Sequence, residues 1–177
     1  MPKLQLLPCL DFPDMAALRR QELDISRDDA VTLGRSTLEA LRQGYYIAET
    51  GRRVDWQNAV QTACSGKVSI APHTPLPNQK KIVCSETRVQ VSNETTMGAA
   101  YRLAERGLNP LALNFANGVQ PGGGFLGGAK AQEEVLCRSS ALYQTPAGDP
   151  MYESHRQRKR EFKRLLKIQE GVPPELM

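Results

Sequence analysis

No apolar run in this chain approaches the ~20 residues that a membrane-spanning helix requires, so no membrane partner is expected. The opening Leu4-Gln5-Leu6-Leu7-Pro8-Cys9-Leu10 is short, broken by Pro8 and soon followed by Asp11 and Asp14. A secretory signal is not built that way. Cysteine is scattered: Cys9, Cys64, Cys84 and Cys137 form no C-x-x-C pair. That argues against a zinc site and against a disulfide framework, and fits a reducing compartment. The chain therefore reads as intracellular, cytoplasmic with the nucleus as the alternative. The only two histidines, His73 and His155, stand in unrelated settings, so no metal site and no cofactor are expected.

What is present narrows the class further. A chain of 177 residues, 40% hydrophobic and 24% charged, suits one soluble domain or one domain with an appendage. Its formal net charge of +4 is unevenly placed. Between 155 and 170, Arg156, Arg158, Lys159, Arg160, Lys163, Arg164 and Lys167 outweigh Glu161 and Glu170. Setting those seven cations and two anions aside from the 23 and 19 of the whole chain leaves 16 against 17. The body thus has no charge-based reason to bind DNA. The basic tail reads as a solvated helix able to contact acidic partners, and its Arg-x-Arg-Lys-Arg run resembles a nuclear-import patch.

Three prolines in the first 14 residues mark an extended lead-in. Residues 15–49 read as helical, with Ser26 and Asp29 as a capping box, Ala30, Leu33, Thr37, Leu38 and Leu41 at helical spacing, and Gly44 as the stop. Val54 to Trp56 reads as a short strand, and Pro72, Pro75 and Pro77 mark a loop at 71–79. Beyond it, Thr87 to Val91 alternates like a strand. Ser92 or Asn93 then caps a helix running to Arg106, and Pro110 to Phe115 forms the next strand. A glycine loop and a helix from Ala131 to Tyr143 follow. Strand–helix–strand–helix order predicts an α/β fold. The expected division is a helical N-terminal extension (1–79), an α/β section (80–155) and a basic tail (156–177).

The glycine loop carries the most functional information. Gly122-Gly123-Gly124, with Gly127 and Gly128 behind, leaves bare backbone that can lie against a ligand. It enters a helix whose free N–H groups and positive dipole end suit an anion such as diphosphate. Glu133 and Glu134 stand in the first turn of that helix, as a potential general acid beside a phosphate-tolerant cradle. Other readings compete. Gly122-x-Gly124-x-x-Gly127 matches a dinucleotide fingerprint, but no strand ending in Asp or Glu follows about 20 residues on. No Gly-Lys-Ser/Thr supports a phosphate-loop NTPase. Acidic residues also favour first helical turns simply because they complement the dipole.

The stretch Leu113-Asn114-Phe115-Ala116-Asn117-Gly118-Val119-Gln120-Pro121-Gly122-Gly123-Gly124-Phe125, continued by Gly127-Gly128-Ala129-Lys130-Ala131-Gln132-Glu133-Glu134, resembles the signature of microbial-type poly(ADP-ribose) glycohydrolases. The likeness extends to Leu136-Cys137-Arg138-Ser139-Ser140-x-Leu142-Tyr143, to Asn93-Glu94-Thr95-Thr96 and to the stretch from Arg35 to Tyr46. It implies a macrodomain-like mixed sheet flanked by helices, and hydrolysis of ribose–ribose O-glycosidic bonds with poly(ADP-ribose) or ADP-ribosylated proteins as partners. By the resemblance Glu134 is the acid/base and Glu133 fixes ribose hydroxyls. Gly122, Gly123 and Gly124 meet the diphosphate, Asn117 and Phe125 meet the distal ribose, and Gln132 belongs to the signature. Gln120 stands where the family often has Asn. The family continues beyond Tyr152 to Arg156 with further strands and a second phosphate loop. This chain turns instead into its basic run, so the C-terminal part of the fold is expected to be missing. A non-catalytic ADP-ribose-binding module, or an inactive truncated form, is the alternative.

Overall fold

The computed structural model describes residues 3–76 and 84–170. In chain order the elements are β1 (Lys3–Leu6), α1 (Pro13–Leu23), α2 (Arg27–Gln43), β2 (Tyr45–Ile47), β3 (Arg53–Asp55), α3 (Gln57–Ser65), β4 (Glu86–Val89), α4 (Thr96–Glu105), α5 (Gln132–Ser139) and α6 (Pro150–Gln169). Two 3-10 turns, Phe125–Gly127 and Leu142–Gln144, flank α5. No helix among the described residues is long and apolar enough to cross a membrane.

Contacts divide the chain along different lines from the expected 79/80 boundary. One unit joins residues 1–26 with 72–113, and the other joins 27–71 with 114–177. In the first unit β1 pairs in parallel with β4, from Lys3 opposite Glu86 to Leu6 opposite Val89. The lead-in is thus a strand, because its backbone groups find partners in β4. The pairing runs on through Leu10, which bridges Ser92. Asn93 donates its side-chain amide to Asp11. Ser92 and Asn93 are thereby committed to the lead-in and do not cap α4. Thr95 does so instead, its hydroxyl accepting from Gly98 N at 3.0 Å. Pro110 to Phe115 forms no strand: it joins neither sheet of the described residues, and Leu111 is 99% exposed. An alternating sequence makes a strand only where a neighbouring edge accepts its hydrogen bonds.

The second unit holds every buried side chain among the described residues. What was expected as one helical stretch from 15 to 49 is two helices and a strand. α2 ends at Gly44, whose φ of +78° reverses the chain into β2. β2 pairs antiparallel with β3, Tyr45 opposite Asp55. Trp56 closes this corner, its indole N–H donating to Ala40 O at 3.0 Å and its ring meeting Tyr46 edge-on at 5.2 Å. One face of α2 carries the small residues Ala30, Gly34 and Thr37, all buried. A Cβ at Gly34 would lie 3.0 Å from Phe125 O and 3.3 Å from the Phe125 ring. The small stripe is therefore what lets the glycine loop rest on α2. Thr37 Oγ1 donates to Arg138 O at 2.7 Å and ties the same face to α5.

α5 is shorter than expected. Ser140 is extended (φ −156°), and its hydroxyl accepts from Leu142 N as the chain turns. α6 starts before the expected tail boundary at 156, so the basic run continues a helix anchored by buried Tyr152. The last two-thirds of that helix are exposed, as a solvated basic face requires. Of the expected loop at 71–79, residues 71–76 carry no regular element, and the rest lies outside the described residues.

Asp149 organises the start of α6. Its carboxylate accepts from Met151 N at 2.9 Å and from the Ser69 hydroxyl, and Lys67 Nζ stands 3.0 Å away. Led by the Ser69 hydrogen bond, these donors hold the carboxyl at about 2, below its ordinary 3.8. A carboxyl depressed on folding stabilises the fold above its unfolded value, and that contribution disappears as pH falls through the folded value. The parent should therefore lose stability on acidification from pH about 4 to about 2. Asp149→Asn should be less stable at neutral pH and show a shallower acid dependence in urea melts. An identical acid profile in the two proteins would show that Asp149 does not carry this effect.

Candidate active site

The loop from Asn114 to Ala131 folds back over the first turn of α5, and three consecutive side chains of that turn hold it. Gln132 Oε1 accepts from Phe115 N at 2.8 Å. Glu133 Oε2 accepts from Asn117 N at 2.7 Å, and its Oε1 accepts from Gly122 N at 3.1 Å and faces Asn114 Nδ2 at 3.5 Å. Glu134 Oε1 accepts from Gly124 N at 3.0 Å. Within the loop, Asn117 Oδ1 accepts from Val119 N and Gln120 N, an Asx-type turn that sets its first bend.

The two carboxylates differ. Glu133 is 2% exposed with both oxygens bonded. Glu134 is 9% exposed, and its second oxygen has no hydrogen bond among the described residues. One carboxylate is thus a tether and the other keeps an uncommitted oxygen. Their charge is felt in the core beneath. The buried Cys137 thiol is pushed up to about 12, by burial first and then by Glu133 and Glu134. Burial, with Glu133 behind it, also raises the Tyr152 hydroxyl above its usual range.

Gly123 shows why this site needs a glycine. Its φ is +53°, and a Cβ there would stand 2.2 Å from Glu134 Oε1 and 3.4 Å from Glu133 Oε2. Both carboxylates converge on that point of the loop. The expected cradle is accordingly turned inward. The N–H groups of Gly122 and Gly124 go to the carboxylates and that of Gly123 to Gln120 O, so they do not face an external diphosphate.

Of the residues expected in the site, Asn117, Gly122, Gly123, Gly124, Gln132, Glu133 and Glu134 are brought together. Phe125, expected against a ribose, is not available there. It is 1% exposed, with its ring 5.0 Å from that of Tyr143 and covered by the α2 face at Gly34. An apolar ring beside small residues is worth more in the core than at the surface. Two residues quoted only as part of the family-like stretches had been given no role. Asn114 reaches Glu133, and its side-chain oxygen is buried without a donor among the described residues. Arg138 is buried one turn after Glu134, and its i, i+4 spacing was the available signal. No cluster of three His, Cys, Asp or Glu able to hold a metal exists among the described residues.

The family model of the microbial-type PARG catalytic domain matches residues 34–167. Solved structures of poly(ADP-ribose) glycohydrolase (PARG) from Thermomonospora curvata are similar to the chain. One is 33% identical, covering 75% of this chain and 50% of that chain, with a TM-score of 0.61. A second, bound to the inhibitor ADP-HPD, is 35% identical over 74% and 48%, with a TM-score of 0.64. A third, a glutamate-to-alanine mutant, is 34% identical over 75% and 49%, with a TM-score of 0.65. The chain therefore spans about half the length of the solved structures it matches. Among curated proteins, none matches.

The tether has a measurable consequence. Glu133→Ala leaves the N–H groups of Gly122 and Asn117 without their acceptor and should cost about 1–3 kcal/mol in urea unfolding. Glu134→Ala removes the acceptor of one N–H and should cost less. Equal stability of Glu133→Ala and the parent would contradict a tethering role.

Proposed function

The chain belongs to the microbial-type PARG catalytic-domain family, and from that premise we propose that it hydrolyses the ribose–ribose O-glycosidic bonds of poly(ADP-ribose), releasing ADP-ribose. Its α/β make-up fits the macrodomain-like fold of that family. The observation that carries the proposal is the unequal carboxylate pair. Glu133 is saturated by loop donors, while Glu134 beside it keeps one oxygen free for a proton or a water.

The chemistry asks for such a pair. A ribose hydroxyl is a poor leaving group until it is protonated, and the anomeric carbon it leaves gathers positive charge. In this reading Glu134 is the acid that protonates the departing oxygen and, once ionised, the base that activates water. Glu133, ionised and rigidly held, supplies negative charge near the oxocarbenium-like centre. It also fixes the loop that the substrate must approach. Asn117, exposed in that loop, would meet the distal ribose. The inhibitor ADP-HPD in the similar Thermomonospora curvata structure supports an ADP-bearing ligand for this site. The basic face of α6 would add attraction for an anionic polymer.

A second reading, an ADP-ribose-binding module without catalysis, is favoured by the loop N–H groups turned inward. One experiment separates the two. ADP-ribose release from poly(ADP-ribosyl)ated protein is measured for the purified chain and for Glu134→Gln, with ADP-ribose binding followed by calorimetry. Hydrolysis by the parent, reduced about 10²- to 10⁴-fold in the variant with binding retained, is the expected result. Binding without hydrolysis by either protein would leave only the module, and hydrolysis unchanged in Glu134→Gln would remove Glu134 from its role.

A further inference from the structure

We infer that Arg138 is a positioning residue for Glu134, acting through the second half of the glycine loop. The inference rests on the glycohydrolase reading above for its effect on rate, though not for its geometry. Arg138 is 9% exposed, a rare place for a guanidinium, and no carboxylate among the described residues lies within ion-pair distance of it. A buried cation without a salt bridge has to be held by hydrogen bonds. Here Nη1 of Arg138 donates to Ala129 O. Ala129 N in turn donates to Gly124 O at 3.2 Å, and Gly124 N donates to Glu134 Oε1 at 3.0 Å. Three successive hydrogen bonds thus connect the guanidinium to the carboxylate whose second oxygen is free.

Two further features make that connection stiff. A Cβ on Gly124 would come 3.1 Å from Ala129 Cβ, so the two loop strands already lie in close contact. The backbone of Arg138 is fixed at its other end, where its carbonyl accepts from Thr37 of α2 at 2.7 Å. Burial lowers the proton affinity of the guanidinium, and the charge of Glu134 opposes that shift. An arginine remains charged under such conditions where a lysine would not reliably do so. Its long side chain also spans from the end of α5 back to the loop, against the direction of the helix. A side chain placed only to complement the helix dipole would point at the last carbonyls of α5 instead.

The test compares the parent, Arg138→Met and Arg138→Lys. Arg138→Met keeps the length and removes the donor; Arg138→Lys keeps an amine donor without the planar guanidinium. With poly(ADP-ribose) as substrate, Arg138→Met should lower kcat about 10- to 100-fold while KM changes by less than about threefold, and Arg138→Lys should recover part of the loss. Amide hydrogen exchange followed by NMR provides a readout that needs no turnover. Gly124 and Ala129 should exchange at least about tenfold faster in Arg138→Met, while amides of α2 keep their protection. Parent-like kcat in Arg138→Met would overturn the inference, as would unchanged exchange at Gly124 and Ala129. If the parent itself releases no ADP-ribose, the glycohydrolase reading fails alone and the exchange data still decide on Arg138. If Arg138→Met does not fold, Arg138→Lys decides: faster exchange confined to Gly124 and Ala129 upholds the inference, and parent-like exchange with parent-like kcat overturns it.

Discussion

Two neighbouring carboxylates, 2% and 9% exposed, sit in the first turn of an eight-residue helix, and the second unit is arranged around that fact. A buried ionised carboxylate is tolerated only when donors surround it. The positive end of α5 helps but is short, and neither Glu133 nor Glu134 has an ion-pair partner among the described residues. The donors are instead the backbone N–H groups of the loop that enters the helix. Supplying them forces that loop to double back, which brings Gly122 and Gly123 to positive φ and presses the backbone against the Glu134 oxygen. Folding back also carries Phe125 underneath, into the space left by the small residues of α2. The aromatic contact with Tyr143 and the Thr37 bond to α5 then close the core.

Much of this was legible in the sequence, because it depends on local chemistry. The glycines, the Gln-Glu-Glu that follows and the helix after them are contiguous, and their likeness to one family singled out this segment as a whole. Gly44 as the end of α2 and the strand at Val54 follow from backbone preference alone. What was not legible depends on partners distant in sequence. Nothing in Lys3 to Leu6 announces that β4, some eighty residues later, will pair with it. Once that pairing exists, it takes Ser92 and Asn93 from the helix they were expected to cap. Pro110 to Phe115 shows the converse, a run with strand character and no edge to join. Leu113 and Phe115 stay largely exposed along with Leu111.

Phe125 illustrates the same limit at the site itself. The family resemblance implied that this aromatic residue, directly after three glycines, lies against a ribose. Its fate is decided by Gly34, some ninety positions earlier, which no local pattern connects to it. The residue is still tied to the site, since its burial anchors the loop whose N–H groups hold Glu133 and Glu134. An alteration of Phe125 would therefore reach the carboxylates through the backbone rather than through a lost ligand contact.

The glycines divide in the same way, and the division bears on how a ligand would approach. Gly123 is accounted for from within, since Glu134 occupies the place of its missing side chain. An explanation by ligand approach is therefore not needed there. Gly127 is different: a Cβ on it would meet nothing within 4 Å, and its backbone conformation is one that any residue adopts. Neither packing nor strain calls for glycine at that position. Gly118, earlier in the same loop, is alike in both respects, so bare backbone with an open side stands at these two positions, outside the turn whose N–H groups the carboxylates already hold. The turn at Gly122 to Gly124 is thus accounted for by the two carboxylates it holds, while Gly118 and Gly127 keep an open Cα side.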